Sequence, residues 1–243
     1  MLPHLPPKPL PKPLPKPPPF LKICCIASVQ EAQLAIAAGA NALGLVSAMP
    51  SGPGVITDAD IANIAAWVRQ QHPHVQSFLL TARQSAQAIT QQHQVCQTTA
   101  LQLVDAVPVA ALRQLRTRLP GVRLVQVVHV VDAGSLAQAL HVAPWVDMLL
   151  LDSGNPGLAV KELGGTGRTH NWGLSQQIVQ AVGAAHAQRV PVLLAGGLNA
   201  SNARAALAQV QPQGLDICSG VRTAGRLDAT KLAEFVAQIQ IAI

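Results

Sequence analysis

The chain has 243 residues, 49% of them hydrophobic and 12% charged, enough apolar material for one substantial core. Its net charge is +6, but Lys8, Lys12 and Lys16 supply half of it from an N-terminal stretch without acids. The remainder is too diffuse to point to nucleic acid and suits a small anionic ligand equally well.

No apolar run reaches the ~18 residues of a membrane span, and the N-terminus has no hydrophobic core of the secretory type. Cys24, Cys25, Cys96 and Cys218 show neither metal-ligand spacing nor a CxxC pair. A reducing cytoplasm is therefore expected.

Residues 1–19 hold ten prolines in a rough Pro-Lys-Pro-Leu repeat. Such a stretch can neither pair in a sheet nor continue a helix, and it reads as a solvated, disordered polyproline-II tail outside the fold. It is either a plain extension or a PxxP ligand for a partner domain. The folded domain is expected over 20–243.

From Phe20 onward, short apolar runs alternate with stretches of helical spacing. Strands are predicted at 20–26, 41–46, 75–81, 99–104, 122–130, 146–151, 190–195 and 214–218. Helix starts are signalled by Ser28, Thr57, Asn199 or Ser201, and Asp228, and helix stops by Gly39 and Gly183. Eight apolar strands alternating with eight helices predict a single-domain α/β fold, the closed parallel (β/α)8 TIM barrel. A doubly wound sheet would usually carry a glycine fingerprint after its first strand, and Cys24-Cys25-Ile26-Ala27-Ser28 has no glycine.

Strand ends and the loops after them form the working face of such a barrel. Here they are Cys24-Cys25, Ser47, Thr81-Ala82-Arg83, Asp105, His129, Asp152, Gly196-Gly197 and Ser219-Gly220. No His-x-His pair or carboxylate cluster suggests a metal, and no cofactor is expected. Lys22 reads as the beginning of a strand, so no strand-interior lysine is expected to form a Schiff base. Proton transfer is the chemistry left, with Cys24 and Asp152 as the pair. The glycine-containing turns after strands seven and eight (Gly196, Gly197, Ser219, Gly220) suit a phosphate site, because their glycines let backbone N–H groups approach an anion. The linker 153–172 is long for a connection of this type and is expected to be a lid or binding loop.

Four motifs in order carry a family resemblance. Lys22-Ile23-Cys24-Cys25-Ile26 resembles the Lys-Ile-Cys-Gly-Ile opening of phosphoribosylanthranilate isomerases, the Amadori enzymes of tryptophan biosynthesis. Leu149-Leu150-Leu151-Asp152-Ser153 with Gly164-Gly165-Thr166-Gly167 and Trp172 is similar to that family's sixth strand and loop. Leu194-Ala195-Gly196-Gly197-Leu198-Asn199 and Asp216-Ile217-Cys218-Ser219-Gly220-Val221 resemble its phosphate loops. The resemblance spans residues 20–240. It implies an aldose–ketose isomerase acting on a phosphorylated aminosugar, with Cys24 as general base and Asp152 as general acid.

Several positions depart from the family pattern. Pro53 stands where an arginine usually grips the anthranilate carboxylate, Cys25 replaces a glycine, Val104-Asp105 replaces His-Gly, and Arg222 replaces a glutamate. Arg222, Arg83 or Arg168 could supply the missing clamp, with His129, Gly165 and Thr166 as further rim candidates. His129 is an acid, a phosphate ligand, a second base or a structural histidine; Asp105 is a hydroxyl ligand or a helix cap. Two readings stand beside the family reaction: an isomerase of another sugar phosphate, and a catalytically silent barrel that binds a phosphorylated ligand or a partner.

Overall fold

The computed structural model describes residues 18–155, 157–158, 161, 163–164, 167–186 and 190–240. The Pro-Lys segment expected to be a tail lies outside these, apart from Pro18 and Pro19, which lead into the first strand.

Eight parallel strands close into a barrel in chain order: β1 (Phe20–Ile23), β2 (Ala42–Val46), β3 (Gln76–Thr81), β4 (Ala100–Leu103), β5 (Arg123–His129), β6 (Met148–Asp152), β7 (Val192–Leu194) and β8 (Gly214–Ile217). β1 closes on β8 with Ile23 opposite Ile217. The helices are α1 (Val29–Ala37), α2 (Asp58–Gln71), α3 (Ala86–Cys96), α4 (Val109–Arg118), α5 (Gly134–Val142), α6 (Trp172–Ala185), α7 (Ala203–Val210) and α8 (Ala229–Gln240).

The strands read as unbroken apolar runs because both faces are covered. In β6, Met148 and Leu150 join the cluster inside the barrel, and Leu149 and Leu151 join the cluster beneath the helices. Asp152 continues the inward set at the open end. The same parity puts Lys22 and Cys24 inside from β1, and Asp216 and Cys218 inside from β8. The helices seal the outer layer through stripes such as Leu232, Phe235 and Ile239 of α8, all buried. Full burial of each such side chain contributes roughly 1.5–3 kcal/mol.

The expected caps at Ser28 and Thr57 form, accepting from the Glu31 and Asp60 N–H groups. Asp228 accepts from the Thr230 and Lys231 N–H groups at the start of α8. α7 is preceded by a local Asn199 turn, in which Asn199 Oδ1 accepts from the Ser201 N–H. Gly39 ends α1 in a left-handed conformation (φ +96°).

Three details differ from the sequence reading. Gly183 lies within α6, which runs on to Ala185; packing of Ile178, Val179 and Val182 outweighs the cost of one glycine. β1 stops at Ile23 because Cys25 turns left-handed (φ +62°). A small hairpin, β9 (Arg222–Thr223) with β10 (Arg226–Leu227), follows β8, turning through Ala224 and Gly225 at φ +48° and +79°.

Candidate active site

The C-terminal ends of the strands surround a cavity open to solvent. Cys24, Cys25, Asp152 and Asp216 line its floor and wall; Gly167, Gly196, Gly197 and Ser219 line one side; Val46, Met49, Pro53, Leu80 and Leu163 line another.

Cys24 is anchored where β1 meets β8, its N–H donating to Ile217 O at 2.8 Å. Gly44 leaves room for it: a Cβ there would lie 2.8 Å from Cys24 Sγ and 2.9 Å from Lys22 Nζ. The thiol is held below its ordinary range, first by a hydrogen bond from the Cys25 thiol. Burial opposes this, and the Lys22 cation assists it.

Lys22 corrects the sequence reading. It lies inside β1 rather than at its start, fully buried, with Nζ 2.8 Å from Asp216 Oδ2. Burial works against its charge, but Asp216 and the Cys24 sulfur hold its pKa above the usual lysine value. Lys22 therefore stays a cation; charge, not position, unsuits it as a Schiff-base nucleophile. Asp216 is pushed up by burial, against Lys22 and with help from the Asp152 charge. Its second oxygen, Oδ1, is buried without a hydrogen-bond partner.

Asp152 is buried at the end of β6. Its Oδ1 accepts from the Ser153 N–H at 2.7 Å, and a Cβ on Gly164 would come within 2.7 Å of Oδ2. Gly164 therefore lies closely over the carboxyl. Two contacts hold Lys161: its Nζ donates to Asp105 Oδ2 at 2.5 Å, and Ser51 Oγ donates to its carbonyl at 2.6 Å. Asp105 is thus neither a helix cap nor a cavity wall; it pairs with Lys161.

The glycine side is tightly built. Gly197 (φ +62°) has the Arg168 and Thr169 backbone so near that a Cβ would lie 2.5 Å from Arg168 C. Gly220 packs against Leu198 and Asn199, joining the two loops without lining the cavity. Gly165 and Thr166 lie outside the described residues.

Other expected rim residues face elsewhere. Arg83 is exposed and donates to Ala88 O. His129 Nε2 lies 2.9 Å from Val104 O, as a buried histidine donating to a carbonyl, and does not line the cavity. Arg222, 7% exposed, donates to both Glu31 carboxylate oxygens and to the carbonyls of Cys24 (3.1 Å) and Cys25 (2.5 Å). It braces the Cys24–Cys25 turn instead of facing the cavity. Among the described residues, no group of three or more His, Cys, Asp or Glu could hold a metal, and no helix is long and apolar enough to cross a membrane.

The model of the N-(5'-phosphoribosyl)anthranilate isomerase family matches residues 21–238. The chain belongs to that family. N-(5'-phosphoribosyl)anthranilate isomerase of Methanocella arvoryzae is 31% identical over 222 residues, 91% of this chain and 98% of that relative. The Pelobacter propionicus isomerase is 35% identical over 218 residues, 89% and 93% of the two chains. The Thermotoga maritima isomerase structure superposes with a TM-score of 0.74 at 25% identity, covering 91% of this chain and 98% of that one. A family structure in complex with reduced 1-(o-carboxyphenylamino)-1-deoxyribulose 5-phosphate gives 0.70 at 23% identity, with coverage of 91% and 98%.

As a phosphoribosylanthranilate isomerase family member, the chain is an isomerase of the intramolecular oxidoreductase class. Sequence reasoning missed Asp216, Lys22 and the bracing role of Arg222. The available signal was Asp216 itself, an acid inside an otherwise apolar strand.

Proposed function

We propose that this isomerase performs an Amadori rearrangement on a phosphoribosylated amine, with Asp152 as general acid and Cys24 as general base. The observation that carries this reading is the convergence of both groups on one cavity whose far side is glycine backbone. Asp152 donates its proton to the furanose ring oxygen as the bond to C1' breaks, leaving a Schiff base between C1' and the amine nitrogen. Cys24, as thiolate, removes the proton from C2', giving an enolamine that tautomerises to the 2'-ketone. Each carboxyl or thiol of this kind contributes roughly 10²–10⁴-fold.

The phosphate sits against Gly196, Gly197 and Ser219, where backbone N–H groups can reach it. The unpartnered Asp216 Oδ1 accepts from a ribose hydroxyl, since a buried carboxylate oxygen left bare is costly. The amine's aromatic ring lies against Val46, Met49, Pro53, Leu80 and Leu163. Those apolar groups support a second reading, in which the aglycone differs from anthranilate: proline offers a carboxylate no donor.

The free thiols support a cytoplasmic location, and residues 1–19 keep both readings, a plain extension or a PxxP ligand. The decisive test is turnover of freshly generated phosphoribosylanthranilate, followed as loss of anthranilate fluorescence. Turnover lost in both Cys24→Ala and Asp152→Asn supports the assignment. A folded wild type that is inactive on this substrate but active on another phosphoribosylated amine supports the second reading.

A further inference from the structure

Cys25 and Cys218 are close in space though 193 residues apart in the chain: the Cys218 thiol donates to Cys25 Sγ at 2.7 Å. Closure of the barrel brings them together, because Ile23 pairs with Ile217 and the next residues of β1 and β8 continue side by side. Cys25 is fixed there by its left-handed backbone, by Arg222 on its carbonyl, and by Gly54, where a Cβ would lie 2.5 Å from Cys25 Cβ. Both thiols line the cavity, and Cys218 is partly exposed within it. Neither takes part in the proton transfers proposed above.

We propose that Cys25 and Cys218 form a dithiol that peroxide closes to a disulfide, switching off the neighbouring Cys24. The sulfurs are within an ångström of the ~2.05 Å bond, so little backbone movement is required. Cys24 and Cys25 cannot substitute for the pair: adjacent Cα atoms lie ~3.8 Å apart, shorter than disulfides accept.

In the first step Cys218 thiolate attacks one oxygen of hydrogen peroxide; the O–O bond breaks, giving a sulfenic acid and hydroxide, which takes up the thiol's proton as water. In the second, Cys25 sulfur attacks the sulfenic sulfur, the S–O bond breaks, and the Cys25 proton leaves with that oxygen as a second water. Two thiols lose two hydrogens in all, and peroxide is reduced to two waters. The disulfide has no S–H left beside Cys24, so the thiolate loses the neighbouring donor that favours it. The effect on turnover rests on the reading of Cys24 as the base.

The test begins with the reduced full-length protein, treated with equimolar hydrogen peroxide, alkylated and digested with trypsin. A disulfide joining peptides 23–69 and 205–222 is expected in wild type and in Cys24→Ala, and absent from Cys25→Ser and Cys218→Ser. Cys96, buried on α3, should stay a free thiol. Alkylation of Cys24 by iodoacetamide at pH 7 should slow about tenfold in the oxidised protein, because less of Cys24 is then thiolate. Dithiothreitol should restore it. Turnover, where present, should fall and recover in parallel.

Absence of the 25–218 link, or a link that vanishes in Cys24→Ala, overturns the pair. Formation of the link with Cys24 alkylation unchanged overturns the switch. The link and slowed alkylation in a protein without isomerase turnover refute the catalytic reading and leave the dithiol standing. If either serine variant fails to fold, one equivalent of phenylarsine oxide on wild type replaces it: protection of both Cys25 and Cys218 supports the pair, and protection of neither overturns it.

Discussion

Lys22 Nζ lies 2.8 Å from Asp216 Oδ2 in the closed interior of the barrel, two residues before Cys24 on the same face of β1. This ion pair places a fixed positive charge under the thiol and leaves one carboxylate oxygen facing the cavity.

Removing one partner exposes the cost of that arrangement. Lys22→Met strands a buried carboxylate and should lower unfolding stability by about 3–5 kcal/mol. Replacing both partners, as Lys22→Met with Asp216→Leu, should recover much of that loss. In the double variant the acidic limb of the kcat/KM profile should still sit at higher pH than in wild type, because the cation beneath Cys24 is gone. Urea melts and pH–rate profiles separate the two effects.

Cys25, on a left-handed backbone, helps hold the Cys24 thiol below its ordinary range. Cys25→Gly suits that backbone and removes the donor. Cys24 is then less readily ionised, and the pH at which it becomes alkylated should rise. A base must be deprotonated to act, so activity at pH 6 should suffer more than activity at pH 9. Iodoacetamide rates across pH check this directly.

Arg222 makes five hydrogen bonds from a nearly buried guanidinium, two of them to the backbone of the Cys24–Cys25 turn. Arg222→Ala should cost about 3–5 kcal/mol of stability, since Glu31 loses its ion-pair partner and the Cys24 and Cys25 carbonyls lose their donor. Arg222→Lys should rescue little, because an ammonium cannot reproduce the planar fork. Thermal melts and single-turnover rates provide the readouts.

Glu31 feels burial first, which opposes its charge, but hydrogen bonds from Arg222 and from the Leu227 and Ala27 N–H groups hold its pKa below the usual value. A depressed folded pKa stabilises the protein above the unfolded value, ~4.3, and that stabilisation is lost as pH falls through the folded pKa. Wild type should therefore lose stability on acidification below about pH 5 more steeply than Glu31→Gln. Chemical denaturation at pH 3 to 7 measures the difference.

Pro53 lines the apolar end of the cavity. Pro53→Arg puts a guanidinium where the family resemblance places a carboxylate clamp. A charge-assisted hydrogen bond of ~1.5–3 kcal/mol should lower KM for phosphoribosylanthranilate about 10- to 100-fold. An unchanged KM would mean that another group already holds the carboxylate, or that the ring binds elsewhere.

Much of the molecule was legible in one dimension. The eight strands announce themselves as apolar runs because both faces of each are buried. Cys24, Asp152, Gly196 and Gly197 stand out because they follow such runs, and a barrel brings every strand end to one face. Ser28 and Thr57 were readable as caps because a cap is a contact over three residues.

What the tertiary structure alone decided lies across β1 and β8. Lys22 looked like a strand start, yet it pairs with Asp216, 194 positions away. Arg222 looked like a rim ligand, yet it braces Cys24 and Cys25, and the adjacent cysteines gave no hint that Cys25 faces Cys218. The physical reason is closure. Which residues face each other across the last seam depends on strand register and barrel shear, set by the packing of all eight strands together and carried by no local stretch of chain.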